Sequence, residues 1–356
     1  MNLKVKVFLI GLQLISTVLF SQKNKDYKTL FESLNFESAY PFQERKALVC
    51  INDYYQYMDN KGNLLPFKFK RTSRLPLQFN FDRAEMYTRS GKSGFINGSG
   101  KLVIDTLYQN VGEFGDSLAF AVRKGFYGFI DLQGKEVLPI DKRYRVTFPF
   151  YKGLSVVSDG QKYGAINKKG IVAIALDFDE IETFHEGFAV ARKTKDGLWG
   201  VIDITGKFVI ETKYKILSRV SEGLIGFYDE KSDKWGFLNL HGNVVIQPKY
   251  VNSGDFHEGL AYVENDHSQI GYIDNTGKQI IDFKFYEAWD FSEGLAVAIG
   301  EKEENGSQRH LSGYIDKKGN WIFKPAFSVA NRFSDGKALV LEMYNNHLRW
   351  KFISKP

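Results

Sequence analysis

The sequence predicts an all-β repeat array: about nine tandem, three-stranded units of roughly 36 residues, stacked as an open β-superhelix. Three observations lead there. A glycine that usually follows a ring recurs at Gly94, Gly128, Gly164, Gly200, Gly236, Gly271 and Gly313, in steps of 34, 36, 36, 36, 35 and 42 residues. A second glycine, that of an E-G-L block, recurs at Gly153, Gly187, Gly223, Gly259, Gly294 and Gly336 and drifts with the first. The segments between them alternate with period two, are rich in β-branched and aromatic residues, and have no helical spacing.

Each unit reads as F-x-E-G-φ-A-x-V, a polar gap, W-G-x-I-D-x-x-G-K-x-V-I, and a polar return, where φ is apolar; the clearest copy spans 184–217. Its three expected strands are L-A-x-V, W-G-x-I-D and K-x-V-I. The D-x-x-G-K block between the last two, as in Asp203 to Lys207, is a hairpin turn. Its Asp starts the turn and its Gly takes the left-handed position. One unit has too little apolar surface to fold alone, so neighbours must bury each other. The ring of Trp199 or Trp235 is the expected joint between them.

Residues 1 to 21 read as a secretory signal: Lys4 and Lys6, then an apolar run of about fourteen residues ending at Phe20, too short to span a bilayer. Cleavage is expected to leave Gln22 as the new terminus, and no second apolar run exists, so no stable membrane insertion is expected afterwards. Residues 22 to 40 lack the repeat. Tyr27, Leu30, Phe31 and Leu34 have helical spacing there, which predicts a short amphipathic helix capping the open array. The array itself runs from 41 to 356. It opens with a degenerate unit (Phe42 to Pro66), continues through seven clearer ones, and closes with a unit short of its third strand. The single cysteine, Cys50, sits in an apolar strand and reads as core. Residues Glu301 to His310 are an insertion, expected to be a solvated hairpin loop.

The residues Trp199-Gly200, Trp235-Gly236, Tyr127-Gly128 and Tyr163-Gly164, with the E-G-L-A and D-x-x-G-K blocks, make the chain resemble the WG-repeat (KWG-repeat) proteins of bacteria. The resemblance covers about nine-tenths of the chain. It departs where Gly271 follows Ile270 and where Gly94 and Gly313 follow Ser93 and Ser312. It implies a β-rich repeat array with no enzymatic activity common to the family. A closed propeller-like array is the alternative architecture. Typical propellers have four to eight blades of four strands, so nine three-stranded units with uneven steps favour the open form.

Lys and Arg number 48 against 42 Asp and Glu, spread through every unit, which is a solvated mixed-sign surface and no nucleic-acid stripe. His185-Glu186 and His257-Glu258 lack the second histidine that a zinc helix needs, since Ala189 and Ala261 stand at that spacing. They read as variable residues before the repeat's E-G. The acids Glu186, Glu222, Glu258 and Glu293 recur once per unit and read as strand-entry residues. Trp289-Asp290 occurs once and carries no weight. No catalytic, cofactor-binding or metal-ligating set is expected, and none of the singular segments has catalytic composition. The candidate ligand-facing rings are Tyr214, Tyr228, Tyr250, Tyr262 and Tyr286, beside Phe227 and Phe285. The expected function is an exported, non-catalytic binding scaffold that engages a protein or cell-surface component. The alternative is a carbohydrate-binding module using those rings.

Overall fold

The computed structural model describes residues 29–356 apart from 32–33, 72–74, 76, 89, 147, 196, 305–306 and 346. The expected signal and Tyr27 lie outside the described residues.

The hairpin turns form as the sequence requires. Asp203 Oδ1 accepts the backbone N–H of Thr205 at 2.8 Å and of Lys207 at 3.2 Å, and Gly206 takes φ +82°. The strand after this turn is bulged, its register shifting opposite Trp199–Asp203. The bulge explains the repeat's first glycine. A Cβ on Gly200 would lie 2.5 Å from the Ile210 carbonyl oxygen. The same clash arises at Gly236 with Ile246 (2.6 Å), at Gly271 with Ile281 (2.7 Å) and at Gly313 with Phe323 (2.5 Å). The glycine is therefore kept for clearance from neighbouring backbone, which is why it persists after Ile270 and Ser312, where no ring precedes it.

The units hold four strands where three were expected. The polar return pairs as well: Glu180–Ile181 lies antiparallel to Phe188–Arg192. His185 and Phe188 exchange both backbone hydrogen bonds across Glu186 (φ +54°) and Gly187 (φ +98°). That is a two-residue hairpin with both central residues left-handed. Most units repeat this plan. Those at 84–108 and 224–250 form three-stranded sheets, and in the second an isolated bridge joins Leu217 of the innermost segment to Phe227.

The stack closes on itself, which corrects the expected open superhelix. Among the described residues the strands form nine sheets. The last holds Val329–Ala330, Lys337–Tyr344 and His347–Ser354, and its fourth strand is Thr29–Leu30 from the other end of the chain. Thr29 pairs with Ile353 and Leu30 with Phe352. The strand missing from the final unit is thus supplied by the segment expected to be a helical cap, and its described residues form no helix. A helix of about ten residues is marginal in water, whereas the bare edge of the last sheet offers a row of unpaired backbone groups. The result is a nine-bladed β-propeller. Its blades are numbered here in chain order: 38–70, 84–108, 110–139, 145–178, 180–214, 224–250, 252–285, 287–327, and 329–354 with 29–30.

Blades are joined by an edge-to-face ring pair. The ring that follows the close-approach position in one blade meets the Phe of F-x-E-G in the next. Centroid distances are 4.9 Å for Tyr57–Phe79, 5.0 Å for Phe95–Phe114, 4.7 Å for Phe129–Phe150 and 4.9 Å for Phe237–Phe256. They are 5.0 Å for Tyr272–Phe291, 4.9 Å for Tyr314–Phe333, and 5.0 Å for Phe352–Phe42 across the seam. At the two remaining joints, smaller side chains do the same work: Ala165 beside Phe184 and Val201 beside Val220.

The tryptophans are not the rings of these edge-to-face pairs, although Trp199 packs against the apolar cluster that Val201 and Val220 share between blades 5 and 6. Trp199 is half-buried beneath the Arg192 guanidinium of its own blade, 4.6 Å from the ring centroid. Trp235 packs beside Tyr228, its cross-strand partner. The insertion near 301–310 lengthens one hairpin, Ala296–Glu304 paired with Ser307–Ile315.

Candidate functional site: the axial mouth

The two-residue turns of successive blades touch in a ring, from which the sheets fan outward. Their acids link blade to blade. Glu186 accepts the backbone N–H of Glu222 (2.7 Å) and Gly223 (3.0 Å). Glu222 accepts from Gly259 (2.9 Å), Glu258 from Gly294 (3.0 Å), and Glu293 from Gly336 (3.1 Å). Asp335 carries the ladder over the seam to Arg45 N–H at 2.7 Å, and Glu44 continues it to Phe81 and Asp82. Left-handed turn residues point their N–H groups into a small concavity that suits an anion. The repeated acids are therefore structural, as the sequence implied, and they act between blades.

Just inside this ring the repeat is broken. Three residues before the first turn position, the blades carry in order Pro41, Gln78, Glu113, Pro149, Thr183, Arg219, Asp255, Asp290 and Arg332. Arg219, Asp255 and Asp290 are linked into an arc through His257, with Arg332 standing at its end. Arg219 Nε donates to Asp255 Oδ2 at 2.7 Å, and its Nη2 lies 3.0 Å from His257 Nε2. The same imidazole nitrogen is 3.4 Å from Asp290 Oδ2. Asp290 Oδ1 is enclosed, with no hydrogen-bond partner among the described residues. Arg332 forms no ion pair among them, yet its charge acts on Asp290.

The electrostatics follow from enclosure. Burial holds the Asp290 carboxyl above its usual range against the opposing charge of His257, and the Asp255 charge adds to the shift. Burial, then Glu180 and Asp255, raises Glu182. Burial, then Arg219, lowers His185. The serine hydroxyls nearby are committed to structure: Ser221 donates to the Phe256 carbonyl at 2.6 Å, and Ser292 to the Phe333 carbonyl at 2.8 Å. Across the ring from the arc, a groove of about 350 Å³ lies between blades 3 and 4, lined by Val111, Gly112, Phe120, Phe148 and Pro149 among others.

The candidate rings do not assemble into one platform. Tyr250, Phe227 and Phe285 are buried. Tyr214 meets Phe227 edge-on at 5.5 Å, and the Tyr228 hydroxyl donates to Asp233. Tyr286 is exposed and stacks on His310 at 4.2 Å. Tyr262 alone joins the mouth. A Cβ on Gly254 would lie 2.2 Å from its ring, so the glycine makes its seat. Burial and then the charges of Asp290 and Asp255 raise its phenol.

His185, His257 and Asp290, which the sequence reading set aside, thus lie in or beside the arc, and Arg219, Asp255 and Arg332 were missed. The available signal was the column three places before the turn, where Arg, Asp, Asp and Arg follow one another.

Fold and site define a nine-bladed propeller whose axial mouth is singular within an otherwise repeated chain. The family described as WG containing repeat matches residues 94–125, 127–163, 163–195, 199–230, 235–266, 270–298 and 313–342, and the chain belongs to that family. No curated protein matches it. Among solved structures it is similar to a eukaryotic initiation factor, at 13% identity and TM-score 0.54 over 93% of each chain, which shows the fold alone. BamB from Moraxella catarrhalis also matches, at 10% identity and TM-score 0.40, over 74% of this chain and 96% of that one. AztD from Citrobacter koseri does so at 13% and 0.38, over 82% and 86% respectively. Among the described residues no helix is long and apolar enough to cross a membrane.

Proposed function

We propose that this WG-repeat propeller is an exported, non-catalytic binding scaffold whose axial mouth engages a protein or cell-surface partner. One observation carries the reading: charged residues that do not repeat gather on the innermost segments of consecutive blades, while packing and turn residues recur around the ring. Selection for folding alone needs only what repeats. The Arg219–Asp255–His257–Asp290 chain adds specific polar groups at a place where a partner reaches all of them together.

Capture from the envelope fraction of the source cell tests this. The double variant Asp255→Ala/Arg332→Ala is expected to retain the captured partner at least tenfold less than the unaltered protein. Equal capture by both would remove the mouth from the binding surface. Export rests on Lys4, Lys6 and the apolar run to Phe20. Mass spectrometry of the exported form is expected to find its terminus near Gln22, and cytosolic protein retaining Met1 would contradict export.

A further inference from the structure

We infer that the groove between blades 3 and 4 seats an arginine side chain of a partner protein; this rests on the mouth being the partner-binding surface. Its volume of about 350 Å³ lies at the low end of the range for ligand pockets. The starting point is the glycine in its wall. Among the described residues every other glycine either takes a positive φ or would bring a Cβ to 3.1 Å or closer to another atom. Gly112 does neither: an added Cβ would meet Phe120 Cβ at 3.4 Å, an ordinary contact. The fold therefore does not require a glycine there, and its effect is to leave the groove open. A glycine inside a strand weakens it, and one without a backbone cause marks a place that another group approaches. Blade 7 carries Gly254 at the same register position, but there the Tyr262 ring fills the space.

The walls are held by the cores on either side. Phe120 meets Tyr127 edge-on at 4.9 Å and Phe129 at 5.8 Å. Across the groove, Val146 pairs with Val157, and the Phe148 carbonyl accepts the Ser155 hydroxyl at 2.8 Å. The register shifts opposite Phe120, so that Gly112 and Glu113 together face that one residue. Such a bulge re-aims a side chain. Glu113 is exposed, lines the groove, and has no ion pair or side-chain hydrogen bond among the described residues.

The lining decides the occupant. It is aromatic and aliphatic, with the Asn110 carboxamide and a single ionisable group, Glu113. At the register position of Glu113, blades 1, 2, 4 and 5 carry Pro41, Gln78, Pro149 and Thr183, so this column supplies no countercharge nearby. An anionic ligand is repelled. A purely apolar one shuts the carboxylate away from water and returns no donor. A guanidinium suits both surfaces: its fork donates to the carboxylate, while its flat face and methylene stem lie on Phe120 and Phe148. Glu113 and Pro149 stand in the same column as Arg219 and Asp255, so a partner seated on the mouth reaches the groove as well.

The test titrates N-acetylarginine methylamide into methyl-labelled protein lacking residues 1–21, read by NMR at the Val111 and Val146 methyls, with the citrulline, lysine and leucine derivatives alongside. The arginine derivative is expected to shift both methyls saturably and to bind at least fivefold more tightly than the others. Glu113→Gln, at an exposed position that keeps the fold, is expected to weaken it at least fivefold. Gly112→Leu fills the groove from a position with room for a Cβ, so the melting temperature is expected to hold while the shifts vanish and envelope capture falls at least fivefold. No saturable shift, equal binding by any of the other derivatives, or binding untouched by Glu113→Gln would each overturn the inference. If capture falls with Asp255→Ala/Arg332→Ala but not with Gly112→Leu, the arginine seat falls and the scaffold reading stands.

Discussion

Replacing Phe352 by alanine is expected to destabilise the propeller by about 3–5 kcal/mol and to loosen it first at the seam. Phe352 is fully buried, and its ring meets Phe42 at 5.0 Å, Phe36 at 5.7 Å and Phe31 at 6.1 Å, all edge-on. These partners all come from the opposite end of the chain. The backbone of Phe352 pairs with Leu30, so one residue joins the closing strand to both terminal blades. Elsewhere two neighbouring blades are connected covalently by a short return segment. At the seam, Thr29–Leu30, the Phe cluster, the Phe36–Trp350 bridge, the Arg349 bond to the Leu34 carbonyl and the Asp335 bond to Arg45 hold the ring shut. Denaturant melts measure the total cost. Hydrogen exchange locates it: amides in 46–59 and 337–354 are expected to lose protection before those of the middle blades. An even loss around all nine blades would contradict the seam.

Phe237→Ala and Phe256→Ala are each expected to cost about 3–5 kcal/mol, with a coupling of roughly 0.5–1.5 kcal/mol in the double variant. Both rings are about 1% exposed, and they meet at 4.9 Å with planes at 67°. They belong to adjacent blades, so the coupling measures the joint between blades. Trp199→Ala is the informative contrast. Its ring is half-buried, stacks under Arg192 and packs against the edge of the cluster shared by blades 5 and 6. Because it is only half-buried, it is expected to cost less than half as much as either phenylalanine. A Trp199 loss equal to that of Phe237, or zero coupling between Phe237 and Phe256, would contradict the ring pair as the main joint.

Period, strand content and turn chemistry were legible because each is local. The alternation of Val201, Ile202 and their neighbours, or the Asp203 turn, depends on residues only a few positions apart. The function of Gly200 was legible only as a recurrence, since its cause is a carbonyl across a bulged ladder. Closure was hidden for a stronger reason. The strand that completes blade 9 lies more than 300 residues away, and Leu30, Phe31 and Leu34 carry a spacing that equally suits a helix. The joint was misassigned because Trp and Tyr before glycine draw the eye, whereas the buried ring stands in a column that varies among Phe, Tyr, Val and Ala. The mouth was missed in the same way. Arg219, Asp255, Asp290 and Arg332 stand far apart in sequence, and only radial closure brings their blades to one axis.

Closure is therefore the claim on which both the seam and the mouth depend, and small-angle X-ray scattering of the protein lacking residues 1–21 tests it most directly. A closed nine-bladed ring is expected to give a radius of gyration of about 20 Å and a compact, single-humped distance distribution. Nine sheets stacked as an open array at roughly 10 Å spacing would instead give a rod-like distribution and a radius of gyration near ~30 Å, and that result would contradict the propeller.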